Sequence, residues 1–181
     1  MRRKPDKQRF ESLLLEHQRI VFKVARVYAY NAHDRDDLAQ EIAAQLWRSF
    51  TTFDASRAKF TTWMYRVALN VAISYMRSAK RSGQDALVPF EDACLDVTAD
   101  SGISQPDAIE RDERIAGLHA FIAQLDAMNR ALVLLYLEDR SYAEIAGVLG
   151  ISETNVATKL NRIKQKLRAQ MGASQSATVR A

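Results

Sequence analysis

Residues 137–159 read LEDRSYAEIAGVLGISETNVATK, and the fold turns on how this stretch is read. A short acidic hinge comes first. Ser141-Tyr-Ala-Glu144 then has the spacing of a capping box, in which the serine oxygen and the glutamate satisfy each other's first-turn amides. Ile145, Ala146, Val148 and Leu149 supply a packing side, and Gly150 supplies a left-handed turn that ends a short helix. Ser152 can cap a second helix, in which Val156, Leu160, Ile163 and Leu167 form a narrow apolar stripe. Opposite lie Thr154, Thr158, Asn161, Arg162 and Gln165, flanked by Asn155, Lys159, Lys164 and Lys166. A short helix, a glycine turn and a polar-then-basic second helix predict a helix-turn-helix. Its second helix would enter a major groove with Thr154, Asn155 and Thr158 toward base edges. Lys159, Arg162 and Lys166 would meet phosphates, which position the module without specifying sequence. An ordinary antiparallel helix pair shares the periodicity, but does not require the box, the turn and the polarity switch in this order.

The whole-chain charge agrees. The net charge is only +4 over 181 residues, but it is unevenly placed. Residues 1–83 carry 16 Lys/Arg against eight Asp/Glu, residues 84–113 one Arg against nine acids, and residues 114–181 nine basic against five acidic. Two basic blocks around an acidic strip suggest two polyanion-binding domains on a linker. The longest apolar run, Ala131 to Leu137, is far too short to span a bilayer. Arg2 and Arg3 have no apolar stretch behind them, so no secretory signal is expected. The lone Cys94 fits a reducing cytosol. With three scattered histidines (His17, His33, His119) it makes no metal-ligand cluster, so no metal and no cofactor are expected.

Helical spacing recurs along the chain. Leu14, Ile20, Val21, Val24, Val27 and Tyr28 place a helix between Asp6 and Tyr30. Asp34 is a candidate cap for a second helix from Arg35 to Phe50, with Leu38, Ile42, Leu46 and Trp47 on one stripe. Acids in its first turn suit the helix dipole. TTFDASRAK, residues 51–59, reads as a loop. A third helix runs from Phe60 to about Lys80 with Trp63, Val67, Val71 and Tyr75 in register. Residues 82–106 hold four of the nine Gly and Pro residues and read as a flexible linker. Helices from Asp107 to Leu125 and from Ala127 to Leu137 follow. Without strand-like alternation, the fold is expected to be all-α, two small helical domains.

Asp34 to Arg81 carries the order DLxQEI…LW…F…F…FTTWMYRVALN…R and resembles region 2 of bacterial RNA polymerase sigma factors of the extracytoplasmic-function group. Leu125 to Leu167, with SYAEIAGVLGIS and LNRIKQKL, is similar to region 4 of the same group. The resemblance implies region 2 at residues 1–81, a linker at 82–106, region 4 at 107–171 and a short tail at 172–181. It implies that Asp36, Asp37, Gln40, Glu41 and Trp47 bind core RNA polymerase, on the clamp helices of the largest subunit, with the flap of the second subunit as a further contact. Charge alone leaves Asp36 and Asp37 as simple dipole complements, and Trp47 as partly core.

The same likeness assigns the loop from Phe53 to Phe60 and the helix after it to opening of the −10 element. Holding unstacked bases takes aromatic faces, polar pockets and nearby cations. Arg57, Lys59, Phe60, Thr61, Trp63, Tyr65, Arg66 and Asn70 offer that mixture, and Arg77, Lys80 and Arg81 would track phosphates. At least one of Phe60, Trp63 and Tyr65 is expected in the core. The chain departs from housekeeping relatives, which have two adjacent tryptophans where it has Trp63-Met64. Ala157 and Thr154-Asn155 also depart from common residues of the recognition helix. Promoter DNA and an anti-sigma factor, in some relatives membrane-tethered, are the further partners implied, with no small-molecule substrate. Two rivals remain. A stand-alone helix-turn-helix regulator would need a dimerisation face. A helical hydrolase would need a phosphate-cradling Gly loop or a metal cluster, which the sequence lacks.

Overall fold

The computed structural model describes residues 6–81 and 105–178. Seven α-helices and one 3-10 turn account for the regular structure among the described residues. α1 (Lys7–Tyr28), α2 (Ala32–Ser49) and α3 (Phe60–Arg81) form a three-helix unit, with the 3-10 turn Phe50–Thr52 after α2. α4 (Gln105–Gln124), α5 (Ala127–Leu137), α6 (Tyr142–Leu149) and α7 (Glu153–Thr178) form the second unit. The expected linker falls mostly on residues 82–104, which lie outside the described ones. α4 starts at Gln105, two residues before the expected start at Asp107, and α7 runs past residue 171 to Thr178.

The N-terminal bundle packs on the stripes its sequence implies. α1 buries Ile20, Val21, Val24 and Tyr28 together with Phe10, and α2 buries Leu38, Ile42 and Leu46. Each such aliphatic side chain contributes about 1.5–3 kcal/mol when fully removed from water. The α2 cap differs from expectation. Asn31 is the cap, its side-chain oxygen accepting from the Asp34 backbone amide at 2.8 Å while its side-chain Nδ2 donates to the Asp34 carboxylate at 2.8 Å. Asp34 therefore sits in the first turn, because an asparagine three residues earlier can reach the orphan amide and an aspartate at that amide cannot.

α3 departs further. The expected register Trp63, Val67, Val71, Tyr75 is only half-buried, while Phe60, Met64, Ala68 and Ala72, with Tyr65, Leu69 and Ile73, are buried. The reason is that α3 is covered from two sides. α1 and α2 pack on it from its own unit, and α5 and α6 of the second unit pack on it as well. A helix between two partners buries a face wider than a single stripe.

Region by region, the helix-turn-helix is local chemistry made visible. The Ser141 hydroxyl accepts from the Glu144 amide at 3.2 Å, and the Glu144 carboxylate accepts from the Ser141 amide at 2.9 Å, a complete capping box. Gly150 stands at φ 69°, and its amide and that of Ile151 both donate to the Ala146 carbonyl, at 2.9 and 3.2 Å. Ser152 accepts from the Asn155 amide at 3.2 Å and starts α7. Val156, Leu160 and Ile163 are buried against Ile145, Ala146 and Val148, with Leu167 packed on the edge.

Two outcomes test this turn. Ser141→Ala should cost about 1 kcal/mol, the usual loss for a removed N-cap. Gly150→Ala should cost about 1 kcal/mol from backbone strain alone, because an added Cβ would meet nothing within 4 Å. Urea unfolding followed by circular dichroism measures both, and an unchanged midpoint for Gly150→Ala would refute the strain account. The bonds from Ser141 hold the Glu144 carboxyl below the usual glutamate range. Its folded pKa is depressed, so its contribution is present above the unfolded value and is lost as pH falls through the folded one. Glu144→Gln should therefore flatten the acid limb of the stability profile.

Candidate nucleic-acid and partner interfaces

Three surfaces gather the residues that the sequence singled out. The first is the outer side of α2. Asp36, Asp37, Gln40 and Glu41 are all exposed on it. His33 lies 3.5 Å from Asp37, and Arg48 donates to Glu41 at 2.7 Å, both on the surface where such pairs contribute little. The chemistry is a solvated acidic stripe that a basic partner helix can take up. Trp47 is half-buried at its end, with its ring 5.1 Å from that of Phe10. It joins the stripe to the core.

The second surface is the loop from Phe53 to Lys59 and the start of α3. Asp54 organises the loop, accepting from the Ser56 amide at 2.9 Å and the Ser56 hydroxyl at 2.6 Å. The Ser56 hydroxyl and amide hold the Asp54 carboxyl below its ordinary range. Phe53, Phe60 and Trp63 stand within 5.3–5.4 Å of one another around Phe50. Phe60 is buried and Trp63 half-buried. Arg57 and Lys59 are exposed beside them, and Thr61 is half-buried. A pocket of about 390 Å³ opens here, lined by Lys59, Phe60 and Phe53 with Arg9, Ser12 and Leu13 of α1.

The rest of the expected −10 set lies elsewhere. Asn70 is exposed in a separate groove of about 650 Å³ between α2 and α3, beside Glu41 and Gln45. Tyr65 is 1% exposed, and its hydroxyl donates to Glu138 at 3.1 Å. Burial, with the Glu138 carboxylate beside it, pushes that hydroxyl above the ordinary tyrosine range. Arg66 donates to the Gly147 carbonyl of α6 at 2.5 Å. Arg77 is exposed farther along α3, and the side chains of Lys80 and Arg81 lie outside the described ones. The structure thus separates the loop cluster, the Asn70 groove and the pair Tyr65 and Arg66 that faces the second unit.

The third surface is α7. Thr154, Asn155, Thr158, Arg162 and Lys166 are exposed on the side away from the core, and Lys159 is half-buried at its flank. The Thr158 hydroxyl donates to the Thr154 carbonyl at 2.9 Å. Thr158 therefore has its methyl and its lone pairs left for a base edge. Lys164 donates to the Tyr136 hydroxyl at 2.9 Å and lies 4.1 Å from that ring, which fixes one more cation beside the exposed polar face of α7.

Sequence reasoning missed a fourth set. Arg130, Tyr28, Tyr30, Lys23, Glu138 and Arg140 meet where the two units touch. The available signal was Arg130 itself, the lone charged residue of α5.

A family model described as Sigma-70 region 2 matches residues 13–82, and one described as Sigma-70, region 4 matches residues 116–167. The chain is 31% identical to the RNA polymerase sigma-H factor of Pseudomonas aeruginosa over 166 residues, covering 90% of this chain and 86% of that one. It is 26% identical to the ECF RNA polymerase sigma factor SigW of Bacillus subtilis, covering 93% and 92%. Among solved structures it is similar to the sigma factor RpoE in complex with the anti-sigma factor NepR from Bartonella quintana. The TM-score there is 0.65 and the identity 17%, over 91% of this chain and 98% of that one. It is similar also to CnrH in complex with the cytosolic domain of CnrY, with a TM-score of 0.61 and 24% identity over 93% and 91%.

The aromatic cluster generates a prediction of its own. Phe50 is buried and touches Phe10, Phe53, Phe60 and Trp63, so Phe50→Ala should cost about 3–5 kcal/mol of stability. Trp63→Ala should cost clearly less, since part of that ring is exposed. Urea midpoints by circular dichroism compare them, and equal costs would make Trp63 a core residue with no face to offer.

Proposed function

Because the chain belongs to the extracytoplasmic-function group of RNA polymerase sigma factors, we propose how its surfaces divide the work of initiation. It is an alternative sigma factor that binds core RNA polymerase and directs promoter-specific transcription through the −35 and −10 elements. It is a regulatory initiation factor, and in this reading it performs no chemical step itself. An anti-sigma factor is a partner, as the solved neighbours have theirs. No helix among the described residues is long and apolar enough to cross a membrane, and the reading puts its work in the cytoplasm.

Asp36, Asp37, Gln40 and Glu41 are assigned to the clamp helices of the polymerase, and Trp47 to the end of that contact. Arg57, Lys59, Phe60, Thr61 and Trp63 are assigned to capture of the melted −10 strand, and Asn70 to a base pocket. Tyr65, Arg66, Arg77 and Lys80 belong to the same assignment, Tyr65 as a support and the cations as phosphate contacts. Thr154, Asn155 and Thr158 read the −35 element, and Lys159, Arg162 and Lys166 hold its backbone. The observation that carries this reading is that the acidic face of α2 and the polar-basic face of α7 are both exposed while the apolar stripes behind them are buried. Each face is therefore available to a partner without unfolding its unit.

In vitro transcription with core polymerase and this chain on a promoter library tests the reading, and failure to support any promoter-specific transcript would sink it. Asp37→Lys with Glu41→Lys should abolish co-elution with core polymerase at moderate salt. Folding should change by no more than about 0.5 kcal/mol, as for surface substitutions in general. Within α7 the two kinds of residue should fail differently. Asn155→Ala should alter preference among −35 variants by about 1–3 kcal/mol at one base pair. Lys166→Ala should weaken all sequences alike and lower the salt slope by about one phosphate contact. Competition across −35 variants with holoenzyme at several salt concentrations decides, and the reverse pattern would mean that the helix enters the groove the other way round.

A further inference from the structure

We propose that α1 carries a self-complementary stripe through which two copies of this chain pair, their first helices antiparallel. The inference goes beyond the sigma-factor reading and does not depend on it. α1 buries Ile20, Val21, Val24 and Tyr28 toward its own unit. On the opposite side Glu11, Leu15, Arg19, Phe22 and Arg26 follow at steps of three or four residues, which sets them in one line along the helix. Leu15 is 65% exposed and Phe22 57%, the two highest values for large apolar side chains among the described residues. The outer side of such a helix is ordinarily polar, and a single apolar residue there calls for no explanation. Two of them on one line, two turns apart and framed by charges of opposite sign, do.

The order of residues along the line decides what fits it. A two-fold axis between Gln18 and Arg19 brings Leu15 of one copy onto Phe22 of the other, and Phe22 onto Leu15. The same axis sets Glu11 opposite Arg26 at both ends, so each charge meets its opposite. A parallel pairing would instead set Glu11 beside Glu11 and Arg26 beside Arg26. A partner of uniform charge, acidic or basic, would meet a like charge at one end of the line. Self-complementarity about a two-fold axis is the form that homodimer interfaces take. Glu11 lies 3.6 Å from Lys7 of its own helix in a surface pair, which contributes little and is readily exchanged for another cation.

Size sets the strength of the pairing. From Glu11 to Arg26 the line is about 22 Å long at 1.5 Å per residue. One pair of such helix faces buries less than the roughly 1,200 Å² at which stable complexes begin. The dimer is therefore weak, with a dissociation constant on the order of tens of micromolar. None of the residues assigned to polymerase or promoter lies on this line, so substitutions in it act on self-association apart from those contacts.

Sedimentation equilibrium of the full chain, with neither polymerase nor DNA present, tests this from low micromolar to a few hundred micromolar. The wild type should pass from monomer to dimer over that range and go no further. Leu15→Glu alone sets a carboxylate on Phe22 at both crossings, and Phe22→Lys alone sets an ammonium on Leu15. Each should weaken self-association about tenfold. An equimolar mixture of the two variants should recover it to near the wild-type value. The mixed pair joins the new carboxylate to the new ammonium at one crossing and keeps Leu15 on Phe22 at the other. Both side chains are exposed, so neither substitution should disturb folding, and circular dichroism checks this. Glu11→Arg, which sets like charges at both ends, should also weaken the dimer, more at low salt than at high, and serves where either of the others fails to fold. A wild type that stays monomeric at a few hundred micromolar would overturn the proposal, as would single variants that associate like the wild type. A mixture that stays monomeric while the wild type pairs would overturn the antiparallel register.

Discussion

The guanidinium of Arg130 is a buried cation with no carboxylate bonded to it among the described residues, and the arrangement of the second unit follows from how that charge is satisfied. Desolvating such a group is costly unless its donors are all used well. Here Nε donates to the Leu125 carbonyl at 2.9 Å, and Nη2 donates to the Ala123 carbonyl as well as to Tyr30. Those two carbonyls lie in the last turn of α4 and in the residue just after it, where orphan acceptors and the negative end of the helix dipole favour a cation. The bonds fix the corner between α4 and α5. The remaining bond, to Val27, extends the same anchor to α1. An apolar side chain would leave the Leu125, Ala123 and Val27 carbonyls without this donor.

From that anchor the geometry propagates outward through packing. α5 is buried along most of its length, with Leu132 and Leu135 closed to solvent. It is the floor on which α6 and α7 rest, so α7 inherits its orientation from a rigid element. Proteins place recognition side chains on such supports because small errors in position forfeit base contacts. α2 works in the same way on the other unit, with Leu38, Ile42 and Leu46 buried under an acidic outer face.

The loop before α3 follows a different rule. Its aromatic residues are shared between core and surface: Phe60 is fixed inside, Phe53 and Trp63 lie at the edge, and Lys59 and Arg57 stand in water. A loop held this way offers an edge of aromatic surface without the entropy of ordering it on binding. Tyr65 does not share in this. Farther along α3, it is buried and spends its hydroxyl on Glu138.

The sequence by itself determined what depends on neighbours within a turn or two. The capping box at Ser141 and Glu144, the left-handed Gly150 and the stripe from Val156 to Leu167 were legible because their partners are three to five residues away. So were the exposed faces of α2 and α7, which are the complements of those stripes. Tertiary structure decided the rest. The buried face of α3, the burial of Tyr65 and the roles of Lys23, Arg130 and Glu138 rest on contacts between residues 73 to 115 positions apart. Periodicity says that a helix has an apolar side. It cannot say that a second unit will cover another side, because that depends on which distant donors and acceptors find each other when the chain closes.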